Sequence, residues 1–122
     1  MANILVVDDE QEICEILEDF LTEMGHEVTT ATRGAQALES VKNDRPHLMI
    51  LDIRMPEMDG IQVMKEAKAL NPELGVIMVS AVRDEEVAKQ AMGEGAYDYI
   101  TKPIDLDYLR TSVTTKITDT LG

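Results

Sequence analysis

Short runs of apolar residues alternate along this chain with longer segments in which apolar residues recur every three or four positions. Uncharged runs of four or five apolar residues are typical of strands that are buried on both faces of a parallel sheet. Segments with the three-to-four spacing predict helices that pack one side against such a sheet. The alternation of the two patterns therefore predicts an α/β domain with a parallel sheet covered on both faces.

The central stretch of the chain is residues 47–56, His-Leu-Met-Ile-Leu-Asp-Ile-Arg-Met-Pro, in which four consecutive apolar residues lead directly to Asp52. Pro46 and Pro56 bracket it, which disfavours a helix at this place. The run therefore predicts a buried strand that ends at Asp52. Open α/β sheets bind their ligands at the carboxyl edge, so Asp52 is the leading candidate for the chemistry.

The rest of the chain predicts four more strands and five helices. The other strands are expected at residues 4–7, 28–32, 76–79 and 97–101. The inward-facing helical residues are expected to be Ile13, Ile16, Leu17, Phe20, Leu21, Met24; Ala35, Leu38, Val41; Ile61, Met64, Ala67; Val87, Ala91, Met92; and Leu106, Leu109, Val113, Ile117. Asp9 with Glu12, Asp59 with Gln62, and Asp84 are expected to cap the first, third and fourth helices.

The composition indicates one ordinary globular domain, residues 1–122, with 44% apolar and 29% charged residues. No apolar run is long enough to span a membrane and no signal peptide is visible, so a cytoplasmic location is expected. The single cysteine, Cys14, cannot form an internal disulfide and is expected to be a packing residue. The net charge of −13 argues against direct contact with nucleic acid or anionic membrane, and it suits a protein that binds a cation.

In a parallel sheet the carboxyl ends of the strands meet at one edge, which would bring together Asp8, Asp9, Asp52, Ser80 and Lys102. Two like charges about 4 Å apart repel by roughly 4 kcal/mol at an effective dielectric constant near 20. Such carboxylates either take up protons or bind a hard cation such as Mg²⁺. With a lysine that can hold an anion and a hydroxyl group beside it, the set is typical of a phosphoryl site. One carboxylate could then act as nucleophile and form an acyl phosphate.

These residues resemble those of the receiver domain of the two-component response regulators, whose CheY-like members have a flavodoxin-type fold with strand order 2-1-3-4-5. The resemblance spans essentially the whole chain. The motifs that carry it are Asp8-Asp9, Asp52, Met55-Pro56 with Asp59-Gly60, Ser80-Ala81, and Lys102-Pro103.

The resemblance implies that Asp52 accepts a phosphoryl group from a histidine of a sensor kinase or phosphotransfer protein. It implies that Asp9, Asp52 and the backbone carbonyl of Arg54 ligate Mg²⁺, with Asp8 reaching the ion through water. Lys102 would contact the phosphoryl oxygens. Such a domain promotes its own phosphorylation and dephosphorylation, and it is not a turnover enzyme.

The resemblance also implies a switch and an output. Ser80, which would contact the phosphoryl group, and Tyr99 would form the switch pair, and the bond between Lys102 and Pro103 would be cis. The responding surface would be built from the fourth helix, the fifth strand and the fifth helix. It would control a downstream target or a C-terminal effector domain, with a phosphorylation-dependent homodimer as one form of output. In the DNA-binding winged-helix branch of the family, charged residues on the last helix often pair two receivers. Tyr108 and Ser112 occupy positions where that branch tends to carry acidic and basic residues.

Several of these residues also have simpler interpretations. Asp9 could only cap a helix, Ser80 could cap a turn, Lys102 could be a solvated charge, and Tyr99 could be a packing residue. His26 and His47 have no partners at metal-binding spacing and are expected to be structural or solvent-facing. The occurrence of the acidic, hydroxyl and lysine positions together at strand ends favours the phosphoryl site.

The sequence disfavours three other functions. A phosphatase of the haloacid dehalogenase type needs a second aspartate two residues after the nucleophile as general acid, and Arg54 occupies that position here. A flavodoxin-like cofactor carrier has its phosphate loop after the first strand, where this chain has the repelling pair Asp8 and Asp9. A receiver that cannot be phosphorylated would usually lack one of the acidic or lysine positions, and none is lacking.

The residue two places after the switch hydroxyl often lies over the phosphoryl group in receivers. An acidic or amide side chain there can orient the water that hydrolyses the acyl phosphate. Val82 occupies this position and has no group that holds a water. Slow hydrolysis of the Asp52 phosphate is therefore expected. Arg54 could pair with a phosphoryl oxygen and stabilise the acyl phosphate, or it could pair with Glu57 and have no effect.

Overall fold

The computed structural model describes residues 2–121 of the chain. This part of the chain contains five strands and five helices in strict alternation. The strands are β1 (Asn3–Val7), β2 (Glu27–Ala31), β3 (Leu48–Leu51), β4 (Gly75–Ser80) and β5 (Asp98–Thr101). The helices are α1 (Gln11–Glu23), α2 (Gly34–Asp44), α3 (Gly60–Leu70), α4 (Glu85–Gly93) and α5 (Leu106–Leu121). All strand pairs are parallel, in the order β2-β1-β3-β4-β5, which confirms the predicted fold class.

The sheet separates two apolar cores, because successive side chains of a strand point to opposite faces. In β3, Met49 and Leu51 pack with α2, α3 and α4, whereas Leu48 and Ile50 pack with α1 and α5. All four side chains are buried, as the continuous apolar run predicts. Cys14 lies in the second core as a buried packing residue. Within residues 2–121 no helix combines the length and the apolar character needed to cross a membrane.

Four apolar residues that were predicted to face inward are exposed. They are Ile16, which is 47% exposed, Met92 at 45%, Leu106 at 37%, and Ala35. In α1 the buried stripe runs through Cys14, Leu17 and Leu21, and Ile16 lies beyond its edge. In α2 the residue that packs inward is Ala37 rather than Ala35. Each helix covers the sheet with a narrow stripe, so apolar residues one position away from that stripe remain in solvent.

Side-chain caps begin α3 and α4 as predicted. The Asp59 carboxylate accepts a hydrogen bond from the backbone N–H of Gln62 at 3.0 Å. The Asp84 carboxylate accepts one from the N–H of Glu86 at 2.9 Å. These bonds satisfy N–H groups that have no partner inside the helix.

The predicted cap of α1 by Asp9 was wrong. The residue at the N-cap position is Glu10, and its side chain forms no capping bond. Instead, Asp8 accepts a hydrogen bond from the backbone N–H of Glu10 at 2.9 Å. After this turn α1 begins at Gln11, and the Asp9 side chain is exposed beyond the end of β1.

Candidate functional site

Four strands deliver polar side chains to one edge of the sheet. Val7 pairs with Leu51 in the register of β1 and β3, so the next residues, Asp8 and Asp52, follow at the same level. Ser80 is the last residue of β4, and it pairs with Thr101, after which Lys102 follows. The predicted convergence is therefore present in the structure.

The ammonium group of Lys102 lies at the centre of this edge. Its Nζ atom is 2.7 Å from Asp8 Oδ2, 3.4 Å from Asp52 Oδ2 and 3.5 Å from Glu10 Oε1. Asp8 is 3% exposed and Asp52 is 6% exposed. One cation thus contacts two buried carboxylates from separate strands, which reduces the repulsion between them.

Burial raises the pKa of the Asp52 carboxyl above its ordinary value. The nearby charge of Lys102 opposes this rise in pKa, and the charge of Asp8 adds to it. Burial also tends to lower the pKa of Lys102, but the hydrogen bond to Asp8 and the surrounding carboxylates outweigh burial, and the net shift of this pKa is upward. Lys102 therefore keeps its positive charge, and this charge favours the ionised form of Asp52 against the effect of burial.

A group of three consecutive acidic residues lies beside this ammonium. Asp8, Asp9 and Glu10 each offer a carboxylate oxygen, and these oxygens lie within 4.8 Å of one another. Oxygen-only carboxylate donors are those that Mg²⁺ prefers, so the residues present fit a magnesium ion. Glu10 was missed in the sequence, although three acidic residues in a row directly after a strand could have indicated it.

The loop between β3 and α3 folds closely over the end of β3. The backbone N–H of Arg54 donates to Asp52 Oδ1 at 3.3 Å, and the N–H of Gly60 donates to the carbonyl of Ile53 at 2.6 Å. A Cβ atom on Gly60 would overlap the backbone carbonyl oxygen of Asp52 and would lie 2.7 Å from Ile53 Cα. Glycine is therefore required where α3 begins, because the helix starts against the backbone of the residue that carries the central carboxylate.

The Arg54 side chain is exposed at this loop. The sequence offers Glu57 as one of two possible partners of Arg54. In the structure Glu57 instead pairs with Arg33, whose Nη2 atom lies 2.7 Å from Glu57 Oε1. Within residues 2–121, no carboxylate forms an ion pair with Arg54. The charge of the Arg54 guanidinium group tends to lower the pKa of the Tyr99 hydroxyl. Burial has the larger effect, and the pKa of Tyr99 is raised.

Ser80 and Tyr99 both bond to the loop that follows β4. The Ser80 hydroxyl oxygen accepts a hydrogen bond from the backbone N–H of Val82 at 3.2 Å. The Tyr99 hydroxyl donates to the backbone carbonyl of the same Val82 at 2.6 Å. The side chain of Arg83 donates to the carbonyl of Lys102 at 3.0 Å, and the peptide bond between Lys102 and Pro103 is cis. This loop therefore connects the hydroxyl, the tyrosine and the lysine residue of the site.

A second polar cluster joins β5 to α5. The hydroxyl groups of Tyr108 and Ser112 donate to Asp98 Oδ2 at 2.7 Å and 2.8 Å. The bond to Asp98 raises the pKa of Tyr108, since it favours the protonated phenol. The two residues at which the chain departs from the winged-helix branch thus bind a carboxylate of their own chain.

Comparison with known proteins agrees with this geometry. The model of the response regulator receiver domain family matches residues 4–114 of this chain. The chain belongs to this family. It is therefore a receiver domain, the signalling domain of response regulators in two-component systems.

Its relatives include longer proteins. The transcriptional regulatory protein ZraR of Escherichia coli (strain K12) is 44% identical over 111 residues, which cover 91% of this chain and 25% of that protein. The crystal structure of a CheY-like receiver domain protein from Methanospirillum hungatei JF-1 has a TM-score of 0.94 at 28% identity, covering 98% of this chain and 96% of the other. NtrX from Brucella abortus has a TM-score of 0.91 at 36% identity, covering 98% of this chain and 28% of NtrX. This receiver thus spans about a quarter of the length of ZraR and NtrX.

Proposed function

We propose that this receiver domain accepts a phosphoryl group on Asp52 from a histidine of a sensor kinase or phosphotransfer protein, in a reaction that requires Mg²⁺. The contact of Lys102 Nζ with both Asp8 and Asp52 carries the proposal. This contact supports the proposal because a carboxylate that could act as nucleophile and a cation that could bind an anion lie at one edge of the sheet, with a group of acidic residues beside them. A turnover enzyme of the dehalogenase type is disfavoured, because the residue at the position of its general acid is Arg54.

In the reaction, one oxygen of the Asp52 carboxylate forms a bond to phosphorus while the bond between phosphorus and the donor imidazole nitrogen breaks. The electron pair of that bond stays on the imidazole. Asp52 must be ionised to attack, and the charge of Lys102 supports the ionised form against the effect of burial on its pKa. After transfer, Lys102 can keep its position by donating to a phosphoryl oxygen.

The residues that would hold Mg²⁺ are Asp9, Asp52 and the backbone carbonyl of Arg54, with Asp8 reaching the ion through water. Glu10 lies with Asp8 and Asp9, and one carboxylate oxygen of each lies within 4.8 Å of the others. When bound, the ion neutralises negative charge on the carboxylates and on the phosphoryl oxygens. The backbone N–H of Arg54 already donates to Asp52 Oδ1, which holds the loop beside the carboxylate.

Mg²⁺ is expected to stabilise the fold. A ligand at a hundredfold excess over its dissociation constant contributes about 2.7 kcal/mol, and the melting temperature should rise by roughly 10 °C. Asp9→Ala should remove most of this gain, whereas Glu18→Ala, at an exposed position on α1, should keep it. Thermal unfolding with and without Mg²⁺ measures the effect, and a wild-type melting temperature that ignores Mg²⁺ would contradict the metal site.

We further propose that Ser80 and Tyr99 transmit the modification. A phosphoryl group on Asp52 offers the Ser80 hydroxyl a charge-assisted hydrogen bond, and this competes with the present bond from the Val82 N–H. Because Tyr99 is bonded to the carbonyl of Val82, movement of that loop changes the surface of α4, β5 and α5.

Ser80→Ala should leave phosphorylation largely intact and should reduce the response of Tyr99. Alanine lacks only the hydroxyl group, so it fits this buried position but cannot bond to the phosphoryl group. NMR spectra of the phosphorylated and unphosphorylated forms measure the response as chemical-shift changes at residues 98–101. Changes as large as in wild type would refute the coupling.

The proposed output is control of a downstream target or of a C-terminal effector domain in the cytoplasm. ZraR and NtrX, which match this chain over only part of their length, support this proposal. A phosphorylation-dependent homodimer is one form that the output could take. The net charge of −13 predicts no direct contact of this domain with nucleic acid or membrane.

The function is tested by incubating the purified domain with acetyl phosphate and Mg²⁺. Intact-mass spectrometry should detect the gain of one phosphoryl group, and chelation of Mg²⁺ should prevent it. If no phosphoryl group is gained from acetyl phosphate or from a phosphorylated histidine donor, the proposal is wrong.

A further inference from the structure

Two histidines lie at the opposite edge of the sheet from Asp52, and the phosphoryl site does not use them. His26 precedes β2, and His47 precedes β3. These two strands flank β1. The Nδ1 atom of His26 accepts a hydrogen bond from the backbone N–H of Ala2 at 3.1 Å, and Nδ1 of His47 accepts one from the N–H of Asn3 at 3.0 Å. Consecutive amides at the start of β1 are thus bound from both sides by imidazole groups.

The direction of these bonds defines the protonation of both rings. A nitrogen that accepts a hydrogen bond must carry a free lone pair, so each imidazole is neutral with its proton on Nε2. Protonation of Nδ1 would replace an acceptor with a donor that faces another donor. Both bonds would then be lost, and the amides of Ala2 and Asn3 would need new partners.

We propose that His26 and His47 form a clamp that holds the amino end of β1 between β2 and β3, and that the clamp is acid-sensitive at His26, whose bond to the Ala2 amide is released when the ring is protonated. The clamp is independent of Asp52, because it acts at the amino end of β1, whereas Asp8 follows the carboxyl end of that strand. Histidine is the side chain whose charge ordinarily changes between pH 5 and 8, so the release falls in a range that a protein can meet.

The sign of the effect follows from His26. Burial lowers its pKa below the ordinary 6.5. The folded protein therefore binds the proton less readily than the unfolded chain does. The stabilisation by the clamp is complete above about pH 6.5, and it decreases as the pH falls through the folded-state pKa.

Other charges surround the two rings and also respond to pH. Arg45 and Glu73 share a depression with His47, and Glu27 follows His26 in the chain. The excess of acidic residues adds an opposite trend, because protonating mutually repelling carboxylates stabilises the fold as the pH falls. The clamp must therefore be measured as a difference between variants at the same two pH values.

The matched variant is the double substitution His26→Asn and His47→Asn. The asparagine side-chain oxygen is a hydrogen-bond acceptor close to the backbone, as Nδ1 is in histidine, but it does not titrate. Between pH 7.5 and pH 5.5, the melting temperature of wild type should fall relative to that of the double variant by about 4 °C or more. Equal changes in the two proteins would overturn the clamp.

Hydrogen exchange at the amides of Ala2 and Asn3 gives a second, local measurement. After correction for the intrinsic pH dependence of exchange, the protection of the Ala2 amide should decrease at pH 5.5 in wild type and should stay constant in the His26→Asn variant. Nitrogen-15 spectra of the imidazoles at pH 7.5 should show the Nε2-protonated form for both rings. Protonated Nδ1 atoms at that pH would overturn the proposal, and neither measurement depends on phosphorylation.

Discussion

Asp52→Asn is expected to abolish phosphoryl uptake. Asparagine has nearly the shape of aspartate, but its amide oxygen carries no full negative charge and cannot form a stable acyl phosphate. The rate should fall by roughly three powers of ten or more, which corresponds to about 4 kcal/mol of lost transition-state stabilisation. The expected signal in intact-mass spectra after incubation with acetyl phosphate and Mg²⁺ is the unmodified mass alone.

The loss should not result from unfolding. Burial opposes the charged form of Asp52 and raises its pKa, so a neutral amide of nearly the same shape is tolerated at this position. Asp59→Asn is the matched control. It makes the same chemical change at the cap of α3, where asparagine also caps helices well, so uptake should remain at the wild-type rate. Uptake by Asp52→Asn at the wild-type rate would mean that another residue is the acceptor.

The lifetime of the phosphorylated form is expected to depend on Val82. Its side chain is 8% exposed and apolar, so it offers no hydrogen bond to a water that could attack phosphorus. Its backbone N–H and carbonyl bond to the hydroxyl groups of Ser80 and Tyr99, so Val82 belongs to the loop that the proposed switch pair contacts. Glu57 is bound by Arg33 rather than by Arg54. The exposed Arg54 side chain can therefore pair with a phosphoryl oxygen and stabilise the acyl phosphate.

Val82→Asn or Val82→Glu should accelerate the decay of phosphorylated protein by about one to two powers of ten, with each power worth about 1.4 kcal/mol of barrier. The decay is followed in Mg²⁺ after removal of the phosphodonor. Val28→Asn, at a half-buried valine of the edge strand β2, controls for loss of packing and should leave the decay unchanged. Decay no faster than wild type in both Val82 variants would show that this residue does not control the lifetime.

Most of the fold could be predicted from the sequence, because the apolar pattern directly reflects burial. The run Leu48–Leu51 has no polar residue, and only a strand covered on both faces accommodates it. The caps Asp59 and Asp84 could also be predicted, since a cap depends on residues two or three positions away. Ile16 could not be placed, because the edge of a helical stripe depends on how the helix is turned against the sheet.

The members of the site could be predicted for a related reason. Parallel strands end at one edge, so Asp8, Asp52 and Lys102 meet wherever the strand ends are correctly assigned. What each of them does in the reaction remains a prediction.

The finer contacts depend on side-chain direction and on loops distant in sequence. Arg33 binds Glu57 across 24 positions, and the Tyr99 hydroxyl reaches the Val82 carbonyl across 17. Nothing in the local sequence indicates either bond. The prediction that Asp9 caps α1 was wrong because it depends on side-chain direction. Asp8 rather than Asp9 turns back to the backbone.

The most direct test of the central claim is to locate the phosphoryl group. The phosphorylated domain is reduced with borohydride, which converts an aspartyl phosphate to homoserine, and its peptides are sequenced by mass spectrometry. Homoserine is expected at position 52, with unchanged aspartate at positions 8 and 9. Homoserine at either of those positions, or a modified peptide that lacks residue 52, would contradict the assignment of Asp52 as the acceptor.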